Sequence, residues 1–76
     1  MKYDLYVQDK LIATCYGWES IYDMLMSNVY GVPHPDNVTE EMHVNCVEAE
    51  AWGELSAYED GDEYEVDDFT IIAWQE

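Results

Sequence analysis

Positive charge is nearly absent from this chain. It contains two basic residues, Lys2 and Lys10, against 18 Asp and Glu, which gives a net charge of −16 at pH 7. Binding to nucleic acid requires Lys and Arg side chains that neutralise phosphates and release their counterions. The sequence therefore argues against direct binding of nucleic acid, and it also disfavours anionic membranes and acidic substrates.

Proline, glycine and long apolar runs are scarce as well. The 76 residues include two prolines and four glycines, and 49% of them are hydrophobic, so the composition is not that of a disordered chain despite the charge. No run approaches the ~20 apolar residues of a membrane span. We expect one folded domain, residues 1–76, because the chain is too short to form two.

Cysteine is limited to Cys15 and Cys46. The two do not form a CxxC pair, and no apolar segment typical of a signal peptide precedes them. We expect free thiols in a reducing cytoplasm, with a disulfide as the alternative.

Residue alternation predicts a β-hairpin at the start of the chain. Apolar and polar side chains alternate in residues 2–8, and residues 11–16 are largely apolar and rich in strand-forming residues. The short polar link of Gln8, Asp9 and Lys10 predicts the turn, although it lacks the usual glycine.

Two helices are expected to follow the hairpin. Apolar residues recur at helical spacing from Trp18 to Val29, and Gly31 is expected to end that helix in the left-handed conformation. A second helix is expected to begin after Asn37, which would cap it together with Glu40, and to run to about residue 55. It carries two apolar stripes, which predict two packing partners. The stripes are Val44, Val47, Ala51 and Leu55 on one side and Val38, Met42, Cys46, Ala49 and Gly53 on the other.

The last third of the chain is acidic and then apolar. Seven acids fall within residues 59–68, where alternating acids predict a turn followed by an extended run. Residues 69–74 are apolar on both faces, which predicts a buried strand or one that meets another surface. The predicted fold is α+β, a two-layer ββααβ domain with both helices on one face of a three-stranded sheet in the order 2-1-3.

No pattern predicts a catalytic or metal site. Residues 60–65 resemble a calcium loop in composition but lack the EF-hand spacing, and the histidines and cysteines show no spacing typical of a zinc site. No nucleophile lies beside an orienting histidine, and no glycine-rich loop is present to hold a phosphate. We expect no enzymatic activity, no metal and no cofactor.

The amount of charge for the size of the chain matches that of a nucleic acid. Its net charge of −16 equals that of about 27 Å of duplex DNA, which carries one charge per ~1.7 Å. A folded chain of this length has a diameter of roughly 30 Å. The alternative interpretation is that the charge serves solubility alone. Four aromatic residues lie among acids or near the chain end: Trp52, Tyr58, Tyr64 and Trp74. The sequence leaves two roles open for them, packing in the core and contact with a partner.

In these features the chain resembles the DNA-mimic inhibitors that phages and mobile elements encode against restriction, CRISPR or repair enzymes. The shared features are short length, very few basic residues, Tyr and Trp among Asp and Glu, and no catalytic signature. The resemblance implies that the protein occupies a groove that would otherwise hold DNA or a guide duplex, in the cytoplasm of the bacterial host if a phage encodes it.

We therefore expect an inhibitor, monomeric or homodimeric, that binds a basic nucleic-acid-binding protein or complex. The alternatives are an immunity or antitoxin-like protein that neutralises a basic toxin, and a homodimeric assembly protein that pairs through residues 69–74. The expected contact residues are Glu48, Glu50, Glu54, Tyr58, Glu59, Asp60, Asp62, Glu63, Tyr64, Glu65, Asp67 and Asp68.

Overall fold

In the part of the chain that the structure describes, four β-strands and two α-helices form the fold, in the order ββααββ. The strands are β1 (Lys2–Val7), β2 (Lys10–Tyr16), β3 (Asp62–Val66) and β4 (Phe69–Trp74), and the helices are α1 (Ile21–Asn28) and α2 (Glu40–Leu55). A short 3-10 helix precedes each α-helix, at Trp18–Ser20 and Pro35–Asn37. The computed structural model describes residues 1–32 and 35–75, so the middle of the loop between the helices lies outside the described residues.

All four strands pair in one antiparallel sheet with the order β2-β1-β4-β3. The predicted three-stranded ββααβ fold was therefore wrong, because a hairpin rather than a single strand follows α2. Asp67 and Asp68 form its two-residue turn, and Val66 pairs with Phe69 across it. Asp67 has a φ of +50°, which Asp tolerates better than most residues, so the turn carries no glycine that would reveal it.

The first hairpin agrees with the prediction. Val7 pairs with Lys10, so Gln8 and Asp9 form a two-residue turn. Both residues have positive φ values, 50° and 66°, which matches the twist of the strands on either side. Asp tolerates the left-handed conformation, so Asp9 can occupy a turn position where glycine is more common.

The helices begin later than the sequence predicts. The first three residues of the predicted first helix form the 3-10 turn, and Gly31 takes the expected left-handed conformation after α1, with a φ of +58°. Thr39, not Asn37, caps α2, and its Oγ1 accepts a hydrogen bond of 3.2 Å from the backbone N–H of Met42. Asn37 belongs to the preceding 3-10 helix, so the predicted cap was wrong by two residues.

The core lies between one face of the sheet and the two helices. Tyr3 crosses this interface, since its hydroxyl donates a hydrogen bond of 3.0 Å to the carbonyl of Gly53 on α2. A Cβ atom at Gly53 would lie 2.5 Å from Ile21 Cδ1. The lack of a side chain at Gly53 therefore allows α2 to lie this close to Ile21 of α1. The largest fully buried side chains are Leu5, Ile21, Leu25, Cys46, Phe69 and Ile71.

Removal of the Tyr3 hydroxyl tests how much its hydrogen bond to Gly53 contributes to stability. Tyr3→Phe should lower the free energy of unfolding by about 1–3 kcal/mol, because the buried carbonyl of Gly53 loses its side-chain donor. Urea denaturation followed by circular dichroism measures the change. Tyr22→Phe is the matched control, since it removes an exposed hydrogen bond of 2.8 Å to His43 Nδ1. An equal loss in both variants would contradict the role given to Tyr3.

Candidate functional site

The two lysines lie on the same half of the sheet but at opposite ends of the first hairpin, since Lys2 pairs with Tyr16 and Lys10 pairs with Val7. Lys2 Nζ lies 3.8 Å from Asp4 Oδ2, and this buried carboxylate also accepts a hydrogen bond of 2.7 Å from Thr14 Oγ1. Part of the small positive charge is thus neutralised locally. The other half of the sheet and both helices contain no Lys or Arg.

β3 is an edge strand that separates acidic from apolar side chains. Tyr64 and Val66 pair with the buried Ile71 and Phe69 and face the helices. Glu63 and Glu65 alternate with them, so they point to the opposite face, where both are exposed. Of the alternating acids in the predicted extended run, Glu63, Glu65 and Asp67, only the first two lie on the strand, because Asp67 lies in the turn.

Two acids at the start of β3 and just before it have a structural role. The carboxylate of Asp62 accepts a hydrogen bond of 3.0 Å from the backbone N–H of Glu59, and that of Asp60 accepts one of 2.8 Å from the backbone N–H of Gln75. Tyr58 and Glu59 are exposed beside them. Of the four predicted contact residues at this end of β3, Asp60 and Asp62 are therefore already engaged within the chain.

At the other end of β3, a shallow acidic cleft lies between the β3–β4 turn and the helices. Asn45 on α2 donates hydrogen bonds to Asp67 Oδ2 at 3.3 Å and to the Tyr30 hydroxyl at 3.1 Å, which ties the turn to α2. The cleft is electrostatically suited to a cationic side chain, and Glu41, which is not among the predicted contact residues, contributes to it. The residues around it are Val29, Tyr30, Glu41, Asp67, Asp68 and Phe69.

The predicted contact residues do not form one flat surface. Glu48 and Glu54 are exposed and Glu50 is half-buried on α2, which covers the face of the sheet opposite to Glu63 and Glu65. The acids therefore lie on both sides of the β3 edge and at both of its ends. This arrangement follows from the strand order and could not be read from composition.

Tyr64 belongs to the packing between helix and sheet. Its ring lies 5.6 Å from the ring of Trp52 at an interplanar angle of 31°, and Trp52 in turn lies edge-on to Tyr3. Burial raises the pKa of the Tyr64 hydroxyl, and the nearby charge of Glu48 adds to the increase. The half-buried Tyr64 side chain thus lies on the helix-facing side of β3, opposite to Glu63 and Glu65.

Both cysteines are free, as predicted, and both are poor nucleophiles. Burial raises the pKa of each thiol from 9.0 to about 11, and the Asp4 carboxylate adds to the effect at Cys15. The thiols are thus protonated at neutral pH, and the thiolate is the reactive form.

These pKa values predict that the folded protein loses stability at alkaline pH. Thiols of the unfolded chain ionise near pH 9, while those of the folded protein keep their protons up to about pH 11. The unfolded state therefore releases protons first, and the free energy of unfolding should fall as pH rises through this window. Urea denaturation at neutral pH and at about pH 10.5 measures it. A constant free energy of unfolding would contradict the prediction.

The structure also shows an exposed apolar surface on α2. Of the two predicted stripes, the one with Cys46, Ala49 and Gly53 is buried against the core. The other lies outside the core formed by the described residues, with Val47 45% and Leu55 61% exposed. The prediction of a packing partner for each stripe was therefore wrong for this part of the chain.

The sheet face without helices is mixed in character. Leu11 and Tyr16 on β2 are exposed, and Tyr6, Ile72 and Trp74 are half-buried. Because Lys2 and Asp4 lie among these side chains, the face combines apolar, cationic and anionic groups.

Within residues 1–32 and 35–75, no cluster of three or more His, Cys, Asp and Glu side chains is suited to hold a metal ion. In the same part of the chain, the helices are too short or too polar to cross a membrane. In the comparisons with known proteins, no family model, no curated protein and no solved structure matches this chain.

Proposed function

We propose that the protein is an acidic, non-enzymatic inhibitor that binds the basic nucleic-acid-binding groove of a host defence or DNA/RNA-processing complex and excludes the nucleic acid by mimicry. One observation carries the proposal: after Lys10 the chain has no Lys or Arg, so its acids are uncompensated over two helices and half of the sheet. A surface of this kind attracts cationic clefts and repels nucleic acid.

The dimensions of the molecule support mimicry. Its longest axis is 35 Å, so a net charge of −16 corresponds to about 2.2 Å of axis per charge. Duplex DNA carries one charge per ~1.7 Å. The charge density of the protein is therefore somewhat below that of DNA and of the same order.

The spacing on β3 gives further support. Alternate residues of an antiparallel strand are ~6.8 Å apart, which is the separation of the backbone positions of Glu63 and Glu65. Along the helix axis, one DNA strand has a phosphate every ~3.4 Å, so the two positions cover the axial rise of about two phosphates. Because acids lie on both sides of the β3 edge, a cleft with two cationic walls would contact more of them than a flat surface would.

The strand order disfavours the alternative of a homodimeric assembly protein that pairs through residues 69–74. β4 (Phe69–Trp74) lies between β1 and β3, so both of its edges are already paired. A homodimer could not form by strand pairing through these residues without opening the sheet.

Affinity capture followed by competition tests the proposal. The tagged protein is incubated with bacterial lysate at about 50 mM and about 500 mM NaCl, because surface charge interactions are screened over this range. We expect a nucleic-acid-binding protein to be retained at low salt and lost at high salt. In the second step, the protein should displace labelled nucleic acid from the purified partner. Capture of a toxin without a nucleic-acid groove, or a ternary complex that keeps its nucleic acid, would contradict the proposal.

A further inference from the structure

The solvent side of α2 carries an apolar stripe that lies outside the core formed by the described residues. We define the α2 stripe as Val44, Val47, Ala51 and Leu55, all of which are exposed, at 42%, 45% and 61% for Val44, Val47 and Leu55. At 100° per residue the four positions fall within about 80° of the helix circumference, and they span about 17 Å along its axis. This is the geometry of a seam for another helix.

A row of glutamates lies on each side of the α2 stripe. Glu41 and Glu48 follow one side of the stripe, and Glu50 and Glu54 follow the other. Neither row contains a Lys or Arg. The nearby His43 forms a hydrogen bond through Nδ1 with the Tyr22 hydroxyl. In helix pairs, charges that flank an apolar seam select the partner.

The flanking charges argue against a second copy as the occupant. Two α2 helices packed through their stripes would place glutamate rows against glutamate rows in either orientation, since α2 contains no Lys or Arg. Two chains of charge −16 would add long-range repulsion. The complementary occupant has an apolar ridge with Lys or Arg on both flanks.

We propose that the α2 stripe docks an amphipathic helix of the basic partner, with aliphatic residues along its ridge and Lys or Arg beside it. This inference rests on the proposed function and assigns part of the interface. Glu63 and Glu65 lie on the far side of the sheet, so the α2 stripe is a second contact. It would add apolar burial, which salt does not screen, to the salt-sensitive attraction of the β3 edge.

A synthetic helix provides a defined probe. The peptide has three heptads with Leu at positions a and d and Lys at e and g, and a scrambled peptide of identical composition is its control. Titration into the isotopically labelled protein, followed by NMR, should shift the amide resonances of Val44, Val47, Ala51 and Leu55 most strongly. Equal shifts with the scrambled peptide, or the largest shifts on β3, would overturn the proposal.

A matched pair of variants separates the α2 stripe from general attraction. Val47→Ser/Leu55→Ser removes apolar surface without changing charge, and we expect the peptide to bind about tenfold or more weakly. Leu11→Ser, at an apolar side chain that is 50% exposed on β2, should change binding less than about twofold. Circular dichroism checks that each variant is folded. Equal affinities of the double variant and the wild type would overturn the assignment.

Two further measurements keep this proposal distinct from the proposed function. If the captured partner binds Val47→Ser/Leu55→Ser normally but does not bind a variant in which Glu59, Glu63 and Glu65 are replaced by lysine, the α2 stripe is excluded and the inhibitor function stands. If sedimentation of the wild type shows a dimer that the double variant abolishes, a second copy is the occupant and the proposal fails.

Discussion

Replacement of Glu59, Glu63 and Glu65 by lysine is expected to weaken binding to the captured partner by about a hundredfold or more. All three side chains are exposed, and no side-chain hydrogen bond within the described residues engages them. Each reversal removes an attraction to the cationic groove and adds a repulsion. Calorimetry or fluorescence anisotropy with the purified partner measures the loss.

A variant with the same net charge provides the control. Glu19, Asp23 and Asp36 are also exposed, but they lie in the 3-10 helices and α1 and not in or beside β3 in the sequence. Reversing either set changes the net charge from −16 to −10. We expect the control to lose less than about fivefold in affinity, because only long-range attraction is reduced. Similar losses in both variants would mean that total charge, and not the β3 edge, determines binding.

Phe69→Ala is expected to have the largest effect on stability. Phe69 begins β4, is 1% exposed, and lies edge-on to Tyr30 with ring centroids 6.4 Å apart. Truncation of a buried Phe costs about 3–5 kcal/mol, which in a domain of this size lowers the melting temperature by roughly 15–30 °C. In such a small protein this loss is a large part of the total stability.

Phe69→Leu controls for the cavity, since it keeps most of the apolar volume and should cost markedly less. Thermal unfolding followed by circular dichroism measures both variants. A decrease of only a few degrees for Phe69→Ala would show that the end of the sheet near Tyr30 is not part of the main core.

The sequence predicts those elements whose signal is local. The first hairpin follows from alternation around Gln8 and Asp9, and α2 follows from its apolar spacing. The second hairpin was missed because Asp67 adopts a positive φ where glycine or asparagine would have marked a turn. Thr39 was missed as the cap because Asn37 offers an equally good capping side chain two residues earlier, and only the tertiary structure decides between them.

The sequence predicts that the site is acidic, but it does not predict how the acidic residues are arranged in space. Composition indicates an acidic surface without specifying where Glu48 lies relative to Glu63. The strand order β2-β1-β4-β3 places β3 at an edge, and the register that turns Tyr64 toward the helices points Glu63 to the opposite face of the sheet from Glu48 on α2. Similarly, the two apolar stripes of α2 are visible in the sequence, but whether an intramolecular partner covers the second depends on the packing of the whole chain.

Carboxyl labelling of the protein, free and bound to its partner, tests the central claim most directly. A carbodiimide couples glycine ethyl ester to accessible Asp and Glu, and mass spectrometry measures the modification of each residue. We predict strong protection of Glu59, Glu63 and Glu65 in the complex and little change at Glu19 and Asp23. Full labelling of Glu59, Glu63 and Glu65 in a complex that is nevertheless formed would contradict the account, because the partner would then be held by a surface other than these carboxylates.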